Sequence, residues 1–177
     1  MREIVLDIET TGLNYKKGDK LIEIACVELV NKIFTGKVFH TYVYTKVGIS
    51  DNAFNIHGIS NHFLRDKPNF SHISKNLLYF ISNARLIAHN ASFDIGFINH
   101  ELKKYDLPNI PSCKIIDTLL IARREFPNKP VNLNALCKRF EISLNKRKKH
   151  GALIDAKLLS AVYIKLSLAK QTSFKFI

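Results

Sequence analysis

The chain has 177 residues, 46% of them hydrophobic, and carries 27 Lys+Arg against 15 Asp+Glu for a formal net charge of +12. That length suits one domain with a real core, and the positive excess favours a polyanionic partner such as nucleic acid. The composition argues against three classes. There is no long apolar run or basic amphipathic helix for a membrane, and "MREIVLDIET" lacks the apolar core of a signal peptide. Cys26, Cys113 and Cys137 are far apart with no CxxC pair, so they read as reduced core thiols rather than a zinc site or disulfide framework. A cytoplasmic protein is the resulting expectation.

The first segment, "REIVLDIET", alternates, with Ile4, Leu6 and Ile8 on one face and Val5, Asp7 and Glu9 on the other. That period predicts a strand, which "TTGLN" ends. "DKLIEIACVELVN" and "KIFTGKVFHTYVYTK" are rich in β-branched and aromatic residues and predict two more strands. A turn at Asn31–Lys32, or one nearer Thr35–Gly36, would join them as a hairpin. "SDNAFNIHGISNHFLRDKP" predicts short helices and loop. "NFSHISKNLLYFISN" has helical spacing through Phe70, Ile73, Leu77 and Phe80. "ARLIAH" predicts a short strand, and "SFDIGFINHELKKYD" a helix opening near Asn90–Ser92. "DTLLIARREF" predicts a helix stopped by Pro127, and "NLNALCKRFEI" another with Asn132 as N-cap. The closing helix lies in "KKHGALIDAKLLSAVYIKL", with a stripe of Ala152, Asp155, Leu159, Val162 and Leu166. Three early strands followed by alternating strands and helices predict an α/β domain, a mixed sheet with helices on its faces. The domain is expected to span 1–169, with 170–177 the start of a tail.

Four carboxylates stand where burial is expected. Asp155 interrupts an apolar stripe, and an unpaired carboxylate there is costly. Asp7 and Glu9 are two apart on a strand and therefore share a face, where each raises the pKa of the other unless a cation intervenes. Asp94 lies in the first turn of its helix, which the dipole favours, but Phe93, Phe97 and Ile98 point that turn into the core. If the four converge they form an all-oxygen site of about −4, which suits Mg²⁺ or Mn²⁺. Two such ions about 3.5–4 Å apart can clamp a phosphoryl displacement. A basic surface around an acidic metal pocket is what a nuclease needs.

The strand "LDIETTGL", the helix start "HNASFD" and the segment "HGALID", in that order, resemble the three motifs of the DEDDh 3′–5′ exonucleases. "FNIHGIS", "FLRDKP", "HNASFDIGF", "DTLLIARREFP" and "LNALCKRFEI" extend the resemblance to the proofreading epsilon subunits of bacterial DNA polymerase III. The resemblance implies a ribonuclease H-like fold with a five-stranded sheet and helices on both faces. It implies metal ligation by Asp7, Glu9, Asp94 and Asp155, with Asp7 bridging two ions and Asp94 completing the cluster. His150 becomes the general base, a role suited to a side chain titrating near working pH. The reaction is two-metal hydrolysis of the 3′-terminal phosphodiester, releasing 5′ mononucleotides from single-stranded or frayed DNA ends.

The same resemblance assigns substrate contacts to Asp7, Glu9, Thr10, Thr11, Gly12, Leu13, Asn52, His57 and Asp155, with Leu13 wedging against the terminal base. Asn52 stands about where the family often has a glutamate, so a charged contact there gives way to an amide. In the basic run "NKRKKH", Lys148 and Lys149 are the expected phosphate contacts. Gln171, Phe174 and Phe176 in "QTSFKFI" resemble the short peptide with which replication proteins dock a sliding clamp. The family implies two further partners: the catalytic polymerase subunit, reached through a tail beyond this chain, and a small stabilising subunit. Two other readings compete: a DEDDh ribonuclease trimming RNA 3′ ends, and a catalytically dead scaffold between polymerase and clamp. The competent residue at every catalytic position argues against the scaffold.

Overall fold

A computed structural model describes residues 1–145, 147 and 149–173, with the side chains of 169–173 excepted. Strands β1 (Arg2–Thr10), β2 (Leu21–Val30) and β3 (Ile33–Tyr42) form an antiparallel meander. The β2–β3 turn falls at Asn31–Lys32, both at positive φ (51° and 66°), the backbone that matches the twist of a two-residue hairpin. Short helices α1 (Asp51–His57) and α2 (Asn61–Leu64) follow, each started by a serine, Ser50 or Ser60, whose hydroxyl accepts a first-turn N–H. Then come α3 (Phe70–Ile81), β4 (Arg85–Ala88), α4 (Ala91–Lys103), β5 (Ile115–Asp117), α5 (Thr118–Glu125), α6 (Leu133–Arg139) and α7 (Ala152–Ser173). The sheet order is β3-β2-β1-β4-β5, with β4 parallel to β1 and to β5. β1 is therefore central, and the acids at its end emerge in the middle of the molecule.

The alternation in β1 sorts its two faces as its period requires. Ile4, Leu6 and Ile8 join Ile24 and Cys26 of β2 in a core closed by Phe70, Ile73, Leu77 and Ile81 of α3 and Ile95, Ile98 and Leu102 of α4. On the opposite face Val5 packs with Leu29, Ile87 and the α7 residues Leu159 and Tyr163. Ala25 and Val27 meet Ala152 and Ala156 at the start of the same helix. Val162 and Leu166 turn away from the sheet toward Ala122 of α5 and Leu136 and Cys137 of α6. α7 is thus sandwiched between sheet and helices, and helices cover both faces.

Several expectations need correction. β5 is three residues long, and its last, Asp117, is the N-cap of α5 rather than part of the helix. The buried stripe of α3 ends on Ile81; Phe80 is half-buried and packs against Phe39 at 5.9 Å. Cys26 and Cys137 are buried, but Cys113 is exposed. α7 continues through Ser173, so the backbone of Gln171 belongs to the helix rather than to a tail starting at 170. Phe174 and Phe176 lie outside the described residues, as does Lys148. Among the described residues no helix is long and apolar enough to cross a membrane.

Ile98, fully buried in the α3/α4 core, tests the fold. Ile98→Ala is expected to cost about 2–5 kcal/mol in urea unfolding, through lost burial and the cavity left behind. A cost under half of that range would mean the core collapses freely around α4.

Candidate active site

The sheet pairing explains why Asp7 and Glu9 stand together. Both leave β1 on the α7 face, where Asp7 lies opposite the small Ala25 and Glu9 opposite Glu23. Glu23 is buried, and the sequence reading missed it. Its Oε2 accepts the N–H of Ala152 at 3.2 Å, and its Oε1 lies 2.7 Å from Nε2 of His40. Glu23 thus pins the first residue of α7 to β2, one turn before Asp155. A carboxylate at a helix start also suits the positive end of the helix dipole. Glu23→Ala is expected to lose about 1–3 kcal/mol of stability through the unsatisfied amide, and Glu23→Gln less, because its amide oxygen still accepts. Equal losses in thermal melting would transfer the effect from the acceptor to the charge.

Asp94 is brought in by the start of α4. Asn90 adopts the left-handed region (φ 72°), and Asp117 receives the N–H groups of Asn90 (3.2 Å), Ala91 (3.0 Å) and Leu119 (2.8 Å). One side chain therefore ties the beginnings of α4 and α5 to the end of β5. Asp94 sits one turn further on and is buried among the apolar residues of its helix.

Asp155 keeps its place in the buried stripe of α7, at 3% exposure. Its cation is Arg147, in the irregular segment ahead of the helix. Arg147 Nε donates to Oδ1 and Nη2 to Oδ2, both at 2.6 Å, a two-pronged pair. Nη1 donates to Oδ1 of Asn134 at 2.5 Å. His150, 46% exposed at its side chain, lies against the same pair, its Nδ1 3.2 Å from Asp155 Oδ2 and 2.9 Å from Arg147 Nη2. Arginine only donates, so it needs a lone pair on that nitrogen, whereas the carboxylate needs a proton there. The backbone N–H of His150 donates to the carbonyl of Ile56 at 3.3 Å, which docks this segment on α1.

The electrostatics show that the acids meet. Burial raises the Asp7 carboxyl well above its ordinary value, and repulsion from Asp94, Glu9, Asp155 and Glu23 adds to it in that order. Glu9 is pushed up to about 8 by burial, then by Glu23 and Asp155, against the pull of Arg147. Asp94 is pushed up to about 8 by burial, although backbone bonds from Asp94 itself and Ile8 oppose this. Burial would raise Asp155 too, but hydrogen bonds from Arg147 and His150 prevail and hold it below the usual carboxylate range.

The donor set fits a divalent cation. Glu9, His150 and Asp155 each offer a ligand atom within 4.8 Å of the others, beside the Asp7 carboxylate. Oxygen donors in this number and charge suit hard cations. A guanidinium already stands there as a counter-charge.

Beside the acids opens a cavity of about 480 Å³, large enough for a nucleotide-sized ligand. Glu9, Thr10 and Gly12 form its floor, with Leu13, 82% exposed, at the rim and Asn52 and His57 along the wall. The sequence reading missed Phe93 and Ile56, which give the wall much of its apolar character. A Cβ at Gly12 would lie 2.5 Å from the Asp19 carboxylate, so a side chain there would displace Asp19. Thr11 is fully buried and does not line the cavity; its N–H donates to Lys20 O (2.8 Å), and its hydroxyl accepts from Lys20 N (2.9 Å). His57 is also spent internally, with Nδ1 accepting from Ile59 N at 2.9 Å and Nε2 facing Thr10 O at 3.3 Å. It holds the turn against α1, offers the cavity its ring surface, and burial lowers its pKa from the ordinary imidazole value. Lys149 is exposed and lies over the Phe54 ring at 5.4 Å, next to the His150 segment.

A family model described as Exonuclease (RNase_T) matches residues 4–163. The chain is 47% identical over its whole length to the DNA polymerase III subunit epsilon of Rickettsia conorii, covering 78% of that protein. It is 45% identical to the same subunit of Escherichia coli K12, covering 99% of this chain and 74% of that one. Among solved structures it is similar to exonuclease X in complex with 5′ overhanging duplex DNA. There the TM-score is 0.71 at 27% identity, over 92% of this chain and 89% of that one.

Proposed function

The chain belongs to the exonuclease family and is a 3′–5′ proofreading exonuclease of the DNA polymerase III epsilon type, and we propose that it hydrolyses the 3′-terminal phosphodiester of frayed DNA in the cleft of Asp7, Glu9, Asp94, Asp155 and His150. The observation that carries this reading is the convergence of the acids: Asp94, Glu9 and Asp155, from three separate elements, all act on Asp7. Exonucleases of this family use divalent metals, and two Mg²⁺ or Mn²⁺ ions would polarise the scissile phosphodiester and help ionise the attacking water. Asp7, Glu9 and Asp155 would hold them, with Asp94 completing the set.

The remaining steps belong to the chain's own side chains. His150 takes the proton of the attacking water through a ring nitrogen, and its exposure leaves it free to turn toward the substrate. Leu13, Ile56 and Phe93 enclose the terminal base and exclude water around it. Thr10 and Gly12 offer backbone groups, and Asn52 its amide, to the sugar. Lys149, exposed next to His150, meets the phosphate backbone. A pocket sized for one nucleotide favours ends already unpaired, because unstacking a mismatched base costs less. The proposal extends to the polymerase as partner, to a small stabilising subunit, and to clamp docking through Gln171, Phe174 and Phe176.

The test is release of 5′ mononucleotides from 3′-labelled single-stranded DNA with Mg²⁺ or Mn²⁺, with and without EDTA, beside RNA of the same sequence and matched and mismatched primer ends. The expected order is single-stranded and mismatched DNA ahead of matched DNA, with no release in EDTA. Faster cleavage of RNA than DNA, or metal-independent release, would overturn the proposal.

A further inference from the structure

Arg147 occupies the position that the acid cluster reserves for a cation. Its guanidinium is close to fully buried, at 7% side-chain exposure, and it engages both oxygens of Asp155. The same group reaches Asn134 on α6 and the ring of His150. A surface arginine in a basic loop does not adopt this arrangement without cause. The sequence of this segment has three further lysines, yet it is Arg147 whose side chain is buried against Asp155. Its fork matches a carboxylate plane, which a lysine ammonium cannot do.

We propose that Arg147 is a resident counter-cation, that its pair with Asp155 and a divalent ion on Asp155 exclude each other, and that metal loading therefore expels Arg147 from the cluster. The inference rests on the metal-site reading above. Three observations carry it. Both Asp155 oxygens are taken at 2.6 Å, so an ion approaching either one meets a guanidinium nitrogen at close range. In a buried setting that like-charge contact is weakly screened. Arg147 also contacts both Asp155 and His150, which touch each other at 3.2 Å, so the base and the acid are both engaged with it while it stays. Finally, Arg147 lies on irregular chain between α6 and α7, so its side chain can leave without unwinding either helix.

The experiment is calorimetric titration of the whole chain with Mn²⁺, together with thermal melting in EDTA, for wild type, R147Q and R147K. If the exchange operates, removing the competitor tightens Mn²⁺ binding in R147Q by about tenfold, the equivalent of one charged hydrogen-bonded pair. R147Q also melts lower than wild type in EDTA, because its acids lose their counter-charge. R147K keeps the charge without the fork and binds more tightly than wild type by a smaller factor. If R147Q does not fold in EDTA, the R147K titration decides, and an affinity equal to wild type overturns the exchange. Unchanged or weaker Mn²⁺ binding by a folded R147Q overturns the exchange and leaves the metal site standing. No Mn²⁺ binding by wild type overturns both.

Discussion

Asp7→Asn is expected to lower metal-dependent nucleotide release by about 10³-fold or more, some 4 kcal/mol at 1.36 kcal/mol per tenfold, measured as single-turnover rates on single-stranded DNA. The same substitution should raise the melting temperature in EDTA. Asp7 is the group on which every other acid of the cluster acts, and in the metal-free protein that repulsion and burial outweigh the attraction of Arg147. The acid cluster contributes to the pH dependence with a definite sign, opposed below the ordinary imidazole value by His57, His89 and His100, which burial lowers. Glu9 and Asp94 have native values near 8 against ordinary values of 4.5 and 3.8. The folded state therefore binds more protons than the unfolded state between those limits, and stability falls as pH rises through that window. Asp155 acts in the opposite sense, but its stabilisation is complete above 3.8 and lost only as pH falls through its lower native value. Melting of EDTA-treated wild type should thus decline from about pH 4.5 to about pH 8. Asp7→Asn should flatten the decline, and Mn²⁺ should remove it. A wild-type melting temperature that falls no more steeply across this range than that of Asp7→Asn would rule out a cluster of mutually repelling acids.

His150→Gln separates the base from the metal ligands. Loss of a positioned general base costs about 10²–10⁴-fold in kcat. The side chain is half-exposed and packs into no apolar cluster, so melting in EDTA should change little. If kcat falls less than about tenfold, another group takes the proton.

Much of this was legible in the chain because the signals are local. The period of two in "REIVLDIET" placed Asp7 and Glu9 on one face, and the 3.6 period of the last helix exposed Asp155 as an acid in an apolar stripe. Asn132 as an N-cap needed no tertiary information, since its side chain bonds Ala135 N within the same turn. Other features carried no such signal. β5 is too short to show any period, and its place at the sheet edge depends on pairing with β4. Glu23 sits in an apolar run on β2 and acquires its role from Glu9 across the ladder and Ala152 on a helix over 120 residues away. Arg147 looks like any other member of a solvated basic run. His57 read as a substrate contact, but its nitrogens are spent on Ile59 and Thr10, which only folded geometry reveals.

The sequence by itself determined the elements, their buried faces and the acids at risk, because side-chain periodicity is set by backbone geometry over a few residues. The three ordered motifs then identified the family. Only the tertiary structure decided that the four acids meet, that Glu23 adds a fifth charge beside them, and that Arg147 rather than solvent neutralises Asp155. Electrostatic energy and hydrogen bonding depend on distances of a few ångströms between groups far apart in the chain. Those distances are fixed by the parallel β1–β4 pairing and by α7 crossing the sheet.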